Sequence, residues 1–391
     1  MDIVLLNWTG GEGDPFTLIN KELKKSLKEY KVNIKIINLE GEWFKEIYNL
    51  KLLNSIDLVI THQGLGSNIS ISNKNFWDEM KLPLLCLHSD HPSLNPINHI
   101  ADSPYVIHTY CITEYAEYAN NNLNKENSSI QLGIPSFYSK RNNSERIGDF
   151  FVFPKNIDPV DLTIQEWVKN LHPSISNILI TITNKIKYNY KNELPIDQHV
   201  IVDEILGEKN LLLNNNEALK KYLHLQSDKL YRNLASELVL EELRDLPLVI
   251  NGRGWDSFKD KKNKKHHFFE FNDATNGDFQ FYSKYGVIDI VYHPNSLHDR
   301  TLRAISHRGG FLCNSSICYN NTLYSKYNDL FFNGSDGNLF QKAVNVINDP
   351  DIHMAKCRAF GAELEKLNPF EDFYLYLANL ISNFNNMKIS H

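Results

Sequence analysis

The sequence predicts an α/β protein of two domains, each a parallel sheet with helices on both faces, and a helical insertion in the second half. Three observations carry that expectation. Short runs that are apolar along their whole length, such as Ile3-Val4-Leu5-Leu6, Leu84-Leu85-Cys86-Leu87 and Leu248-Val249-Ile250, alternate with helical stretches; strands of that kind are buried on both faces, as in parallel sheets. The alternation occurs twice, on either side of a polar stretch over residues 139–145 that reads as a linker. A chain of 391 residues, 42% of them hydrophobic, is long and apolar enough for two cores.

In the first half, Ile3–Leu6 leads into the loop Asn7-Trp8-Thr9-Gly10-Gly11-Glu12-Gly13-Asp14-Pro15, then a helix from Phe16 to about Tyr30 and a strand over Val32–Ile37. This is a βαβ unit. A helix over 41–52 follows, then strands at Asp57–Ile60, Leu84–Leu87 and Tyr105–His108, a helix from Glu114, and Ile130–Pro135. The first domain is placed at 1–140. The second domain, 149–370, opens on Phe150-Phe151-Val152-Phe153 and carries the helical insertion at about 159–245. Within it the β-branched run Ile178–Thr183 fits a strand as well as a helix. The α/β pattern then returns with strands at Leu248–Ile250, His267–Phe271, Val287–Tyr292 and Phe311–Cys313. A final helix, 371–391, is expected to pack back on the first domain.

Open parallel sheets bind ligands beyond the carboxyl ends of their strands, so strand-end loops hold the candidate site. His293-Pro294-Asn295-Ser296-Leu297-His298-Asp299-Arg300 joins a strand to a helix that begins near Asp299. Unpaired N–H groups at a helix start favour a phosphate, and Arg300 and Arg303, three apart, share a face. Gly309-Gly310 suits the helix's C-cap. Asn251-Gly252-Arg253-Gly254-Trp255 ends another strand; two glycines permit close approach, and Arg253 presents a guanidinium. An ordinary turn with a surface arginine explains that segment equally well.

These residues resemble the donor-binding half of GT-B glycosyltransferases, most closely the family-1-like bacterial enzymes related to the spore-maturation type. The resemblance lies in Arg232, Gly252-Arg253-Gly254-Trp255, His298-Asp299-Arg300 and Gly309-Gly310-Phe311-Leu312, about a third of the chain. It departs at Arg303, which stands near where many such enzymes carry a ribose-binding Glu. His293-Pro294 is similar to a His-Pro pair of some bacterial sialyltransferases. The resemblance implies two Rossmann-like domains facing a cleft. It implies inverting transfer of a sugar from a nucleotide-sugar donor to a glycan, lipid-linked or protein acceptor, with no cofactor and no bound metal. Donor contacts would come from Gly252, Arg253, Gly254, His293, Asn295, Ser296, His298, Asp299, Arg300 and Arg303. By position in the first loop Asp14 is the candidate general base, although Asp14-Pro15 also reads as a helix N-cap with Pro at N1. Asp90 is the second catalytic candidate. Glu12, His62, Gln63 and His91 are acceptor-side candidates. His88, Asp90 and His91 together also suggest a metal, the lesser reading. Alternatives with the same fold are a nucleotide-sugar epimerase and a non-catalytic nucleotide- or sugar-binding protein.

A net charge of −6 argues against nucleic acid as a partner. The basic run over 259–267 reads as a solvated loop, with contact to an anionic lipid acceptor or membrane surface as the sharper alternative. Five cysteines without metal-ligand spacing suit buried thiols in a reducing cytoplasm. No apolar run approaches the roughly 20 residues of a membrane span, and the start of the chain lacks a signal-peptide pattern.

Overall fold

The computed structural model describes residues 1–8, 15–100, 103–123, 130–131, 146, 148–191, 198–208, 217–259, 265–269, 283–290, 299–314, 325–332, 338–366 and 369–389. The chain divides into two compact units, one built from Met1–Ser139 and Leu364–His391, the other from Lys140–Asn272 and Gly277–Glu363.

In the first unit the elements run β1 (Asp2–Asn7), α1 (Pro15–Leu27), β2 (Asn33–Asn38), α2 (Trp43–Leu52), β3 (Leu58–His62), a small antiparallel pair β4 (Ser70–Ile71) and β5 (Lys74–Asn75), α3 (Phe76–Met80), β6 (Leu84–His88), β7 (Val106–Tyr110), α4 (Thr113–Asn122) and β8 (Ile130–Gln131). Six strands form one parallel sheet in the order β2-β1-β3-β6-β7-β8. Because successive side chains alternate between faces, β1 feeds two cores. Ile3 and Leu5 join Ile19, Leu23 and Leu27 of α1 on one face. Val4 and Leu6 join Ile47, Phe76 and Trp77 on the other.

The second unit runs β9 (Phe151–Pro154), α5 (Val160–Asn170), α6 (Pro173–Lys191), α7 (Gln198–Glu208), α8 (Glu217–Glu242), β10 (Leu248–Asn251), α9 (Asp256–Lys259), β11 (His266–Phe269), β12 (Gly286–Asp289), α10 (Asp299–Ser306), β13 (Phe311–Asn314), β14 (Phe331–Phe332), α11 (Asn338–Asn348) and α12 (Pro350–Glu365). Its sheet, again parallel, has the order β11-β10-β9-β12-β13-β14. The helices α5–α8 have a core of their own around Trp167, Leu179, Ile182, Val202 and Leu230. α8 ties that core to the sheet, since its Ala235, Val239 and Leu240 pack with Phe151, Phe153 and Ile250.

The ambiguous β-branched run lies in α6. Ile178, Leu179, Ile182 and Ile186 are all buried, a spacing that only a helix brings to one side. Thr181 and Thr183 turn their hydroxyls onto the carbonyls of Asn177 and Leu179, each four residues back, which removes their polar groups from the apolar side.

The last helix, α13 (Pro369–Ile389), belongs to the first unit. Phe373 and Leu377 are buried with the α1 face of the sheet, and Tyr374 stacks on Tyr30 with ring centroids 4.8 Å apart. Phe373 is 1% exposed, so Phe373→Ala leaves a cavity there and is expected to lower stability by about 3–5 kcal/mol. Urea denaturation measures it; a loss below about 1 kcal/mol would mean that α13 does not complete this core.

Candidate functional site

In the second sheet the strand order reverses between β9 and β12. Strands added outward from β9 go one way through β10 and β11, and the other way through β12, β13 and β14. That is the doubly wound order whose switch point, at the carboxyl ends of the two central strands, forms the ligand crevice. Three polar segments meet the sheet near it: residues 155–157 after β9, 251–254 after β10, and the end of β12 with the start of α10.

The turn after β10 is built for close backbone contact. Gly254 has φ +88°, and a Cβ there would stand 1.7 Å from the Ile157 carbonyl oxygen; one on Gly252 would stand 2.0 Å from that of Lys155. Only glycine fits either position. The Arg253 N–H donates to Asn156 Oδ1 at 2.8 Å, and the indole N–H of the buried Trp255 donates to the Lys155 carbonyl at 2.6 Å. These bonds hold the loops after β9 and β10 together and leave the Arg253 residue exposed.

At the end of β12, Asp289 is fully buried. One carboxylate oxygen accepts from Arg300 Nη1 at 3.2 Å. The other accepts from the backbone N–H of Thr301 at 3.2 Å and from its hydroxyl at 2.9 Å. A buried carboxylate needs such compensation. It also fixes the first turn of α10 and the direction of Arg300, whose side chain keeps 23% of its surface exposed. Sequence reasoning missed Asp289, Thr301, Asn156 and Lys155. Asp289 left one signal, a single acid inside the otherwise apolar Val287–Val291 run.

Gly252, Arg253 and Gly254 thus lie together after β10, while Arg300 and Arg303 lie on α10. His293, Asn295, Ser296 and His298 fall outside the described residues, as does the Asp299 side chain. At the end of α10 the left-handed residue is Arg308, φ +52°, not either glycine of Gly309-Gly310. Gly310 serves a different contact: a Cβ on Gly286 would lie 2.3 Å from the Gly310 carbonyl carbon, so the two backbones touch where β12 and β13 begin.

In the first sheet the order reverses between β1 and β3. Asn7 ends β1 and His62 ends β3. Asn20 of α1 donates to the Leu6 carbonyl at 3.1 Å and to Asn7 Oδ1 at 3.2 Å, and its own Oδ1 meets His62 Nε2 at 2.9 Å. Thr17 donates to Asn7 Oδ1 at 3.0 Å. His62 stacks on Phe16, 4.9 Å between centroids, and burial lowers its pKa to about 4, so it is neutral near pH 7. Asn7, Thr17 and Asn20 were absent from the sequence-based set. Asp14 and Glu12 lie outside the described residues.

Gln63, with φ +53°, donates through Nε2 to Ser89 Oγ at 2.6 Å and to Asp90 Oδ2 at 3.0 Å. The parallel register of β3 with β6 makes that pairing. Asp90 is exposed. His91 is buried, with Nδ1 2.7 Å from Ser93 Oγ and its ring edge-on to Tyr115 and Tyr118. Among the described residues the group whose ligand atoms lie close enough to share an ion is Cys86, His88 and His108, not His88, Asp90 and His91.

No protein-family model matches the chain, and no curated protein matches it by sequence. Its fold does match solved structures. An alpha-glucosyltransferase in complex with UDP and a 13-mer DNA superposes with a TM-score of 0.53 at 10% identity, covering 98% of this chain and 100% of that one. The T4 phage enzyme BGT with UDP-glucose gives 0.53 at 11% identity, covering 95% and 98%. The likeness shows the fold, which is α/β of the GT-B type. It also overturns one expectation. Net charge does not rule out nucleic acid as a partner, since a protein of this fold is solved with DNA bound. Net charge sums the whole surface, whereas phosphate contact needs only a local group of cations.

The lowered pKa of His62 predicts an acid sensitivity. The unfolded chain takes up a proton near pH 6.5 and the folded chain only near about 4. Stability is therefore full above pH 6.5 and falls as pH drops toward 4, by a loss of order 3 kcal/mol from this residue. Urea midpoints at pH 7.5 and pH 4.5 test this. His62→Gln, which keeps a polar partner for Asn20, is expected to decline less than the wild type, and equal declines would contradict the assignment.

Proposed function

We propose that the chain is a glycosyltransferase that moves a sugar from a nucleotide-sugar donor to an acceptor hydroxyl. The observation that carries this reading is Arg300, held by the buried Asp289 at the switch point of a doubly wound parallel sheet. The exposed Arg253 on its glycine turn belongs to the same end of that sheet. A diphosphate in that crevice would meet planar guanidinium donors suited to phosphate oxygens. The fold neighbours add support, because they are solved with UDP and with UDP-glucose. UDP-glucose is accordingly the first donor to try. The finer relation, to family-1-like bacterial enzymes of the spore-maturation type, rests on Gly252-Arg253-Gly254-Trp255 and Gly309-Gly310-Phe311-Leu312.

In the transfer, the acceptor oxygen bonds to the anomeric carbon as the bond from that carbon to the diphosphate oxygen breaks. The leaving diphosphate gains negative charge, which Arg300 and Arg253 neutralise. An inverting enzyme also needs a base for the acceptor proton; Asp14 takes that role in this reading, with Asp90 next. Guanidinium groups then do the work of a metal ion at the diphosphate. The acceptor panel includes glycan, lipid-linked and protein hydroxyls, and DNA. Among the described residues no disulfide forms, and Cys86, Cys111, Cys313 and Cys357 keep their thiols, which supports a cytoplasmic setting. No described helix is long and apolar enough to cross a membrane.

Release of UDP from UDP-glucose, alone and with the acceptor panel, tests the function. Arg300→Ala would strand the buried Asp289 without its cation, so Arg300→Lys is the cleaner variant. It keeps a charge beside Asp289 and loses the fork. The wild type is expected to turn over the donor, and Arg300→Lys to lose roughly 100-fold with little change in melting temperature. Saturable UDP binding without turnover would instead mean a non-catalytic binder, and a changed sugar still attached to UDP would mean an epimerase.

A further inference from the structure

The first sheet holds a second polar cluster, buried one strand over from the β1/β3 switch point, on β6 and β7. Cys86 and His88 are two apart on β6 and share a face. His108 stands opposite Cys86 on β7 in the parallel register. Cys86 and His88 are fully buried and His108 is 4% exposed. His88 Nε2 lies 2.8 Å from His108 Nδ1, which occupies one nitrogen of each ring. The other two, His88 Nδ1 and His108 Nε2, are buried and make no hydrogen bond. Each such orphan destabilises the fold, and the interior of a covered parallel sheet is a poor place for them. His99 and Tyr110 close the site, stacked on His88 at 4.1 and 4.9 Å between centroids.

We propose that Cys86, His88 and His108 form a buried structural centre for a borderline-soft divalent transition ion of the zinc type. One sulfur and two imidazole nitrogens are the donors such an ion selects. One ligand atom from each residue already lies within 4.8 Å of the others. Bond lengths of about 2.0–2.3 Å put the donors of a tetrahedral ion roughly 3.3–3.6 Å apart. Binding would replace the His88–His108 hydrogen bond with two metal–nitrogen bonds, leaving the fourth position of the shell to a ligand from outside the triad.

Binding also breaks the S–H bond of Cys86. The ion takes the thiolate and the proton leaves to solvent, so the protein with its ion carries one positive charge more than the protein without it. Burial pushes the Cys86 thiol far up and lowers His88 and His108. Without the ion the centre therefore holds a neutral thiol and neutral imidazoles. The imidazoles are already in the form a metal takes, and only the thiol must lose a proton. The role is structural: the ion would pin β6 to β7 beneath the loop that carries Ser89, Asp90 and His91.

The test is a titration of the full chain with Co²⁺ after chelator treatment and dialysis into metal-free buffer. The expected result is one equivalent bound, a near-ultraviolet thiolate-to-cobalt charge-transfer band, release of one proton and a higher melting temperature. Cys86→Ala is expected to lose the band, and His108→Gln to weaken binding roughly tenfold or more, each with its far-ultraviolet dichroism checked. If Cys86→Ala does not fold, the wild-type band and the His108→Gln affinity decide the matter. The proposal is overturned if the wild type shows no band at stoichiometric cobalt, if the band persists in folded Cys86→Ala, or if His108→Gln binds as tightly as the wild type.

Discussion

Both six-stranded sheets are entirely parallel, and a parallel strand reaches its neighbour only through a crossover lying on one face of the sheet. Two covered faces follow, and with them strands apolar along their length. β3 and β6 show the consequence, since all five residues of each are buried. Such a sheet has little room for polar side chains except at its ends. The carboxyl ends, where crossovers part at the switch point, become the natural place for chemistry.

Polar groups inside these sheets are therefore informative. Asp289 sits at the last position of β12, buried, with Arg300 and Thr301 satisfying its oxygens. It converts an arginine on α10 into a fixed group at the β9/β12 switch point, tying the fold of the second unit to its candidate chemistry. The first sheet carries a neutral counterpart, in which Asn7, Thr17, Asn20 and His62 link β1, β3 and α1 through amides, a hydroxyl and an imidazole. The histidines of β6 and β7 leave two buried ring nitrogens, His88 Nδ1 and His108 Nε2, without a hydrogen bond, as His62 leaves its Nδ1.

Much of the fold was legible in the sequence because a covered parallel strand writes its burial as an unbroken apolar run. Ile178–Thr183 was not, because β-branched residues favour a strand locally while the burial spacing that makes α6 a helix depends on partners in α7 and α8. The glycine turn after β10 was visible as Gly252-Arg253-Gly254, for glycine marks close backbone approach. Its anchor on Asn156 was not, since that bond spans 97 residues. Arg300 stood out as a cation at a helix start, yet its partner was hidden inside a strand. Gln63 and Asp90 were each picked out singly; only the register between β3 and β6 brings them together. Net charge misled about nucleic acid because it carries no information on where charges lie.

In the proposed function, the switch point of the second sheet recognises a diphosphate through Arg300 as Asp289 holds it. Calorimetric titration with UDP and with uridine tests this most directly, because the two ligands differ only in the diphosphate. The wild type is expected to bind UDP at least about tenfold more tightly than uridine, about 1.4 kcal/mol or more, and Arg300→Lys to erase most of that difference while leaving uridine binding unchanged. Equal affinities for the two ligands, or a preference for UDP that survives Arg300→Lys intact, would contradict it.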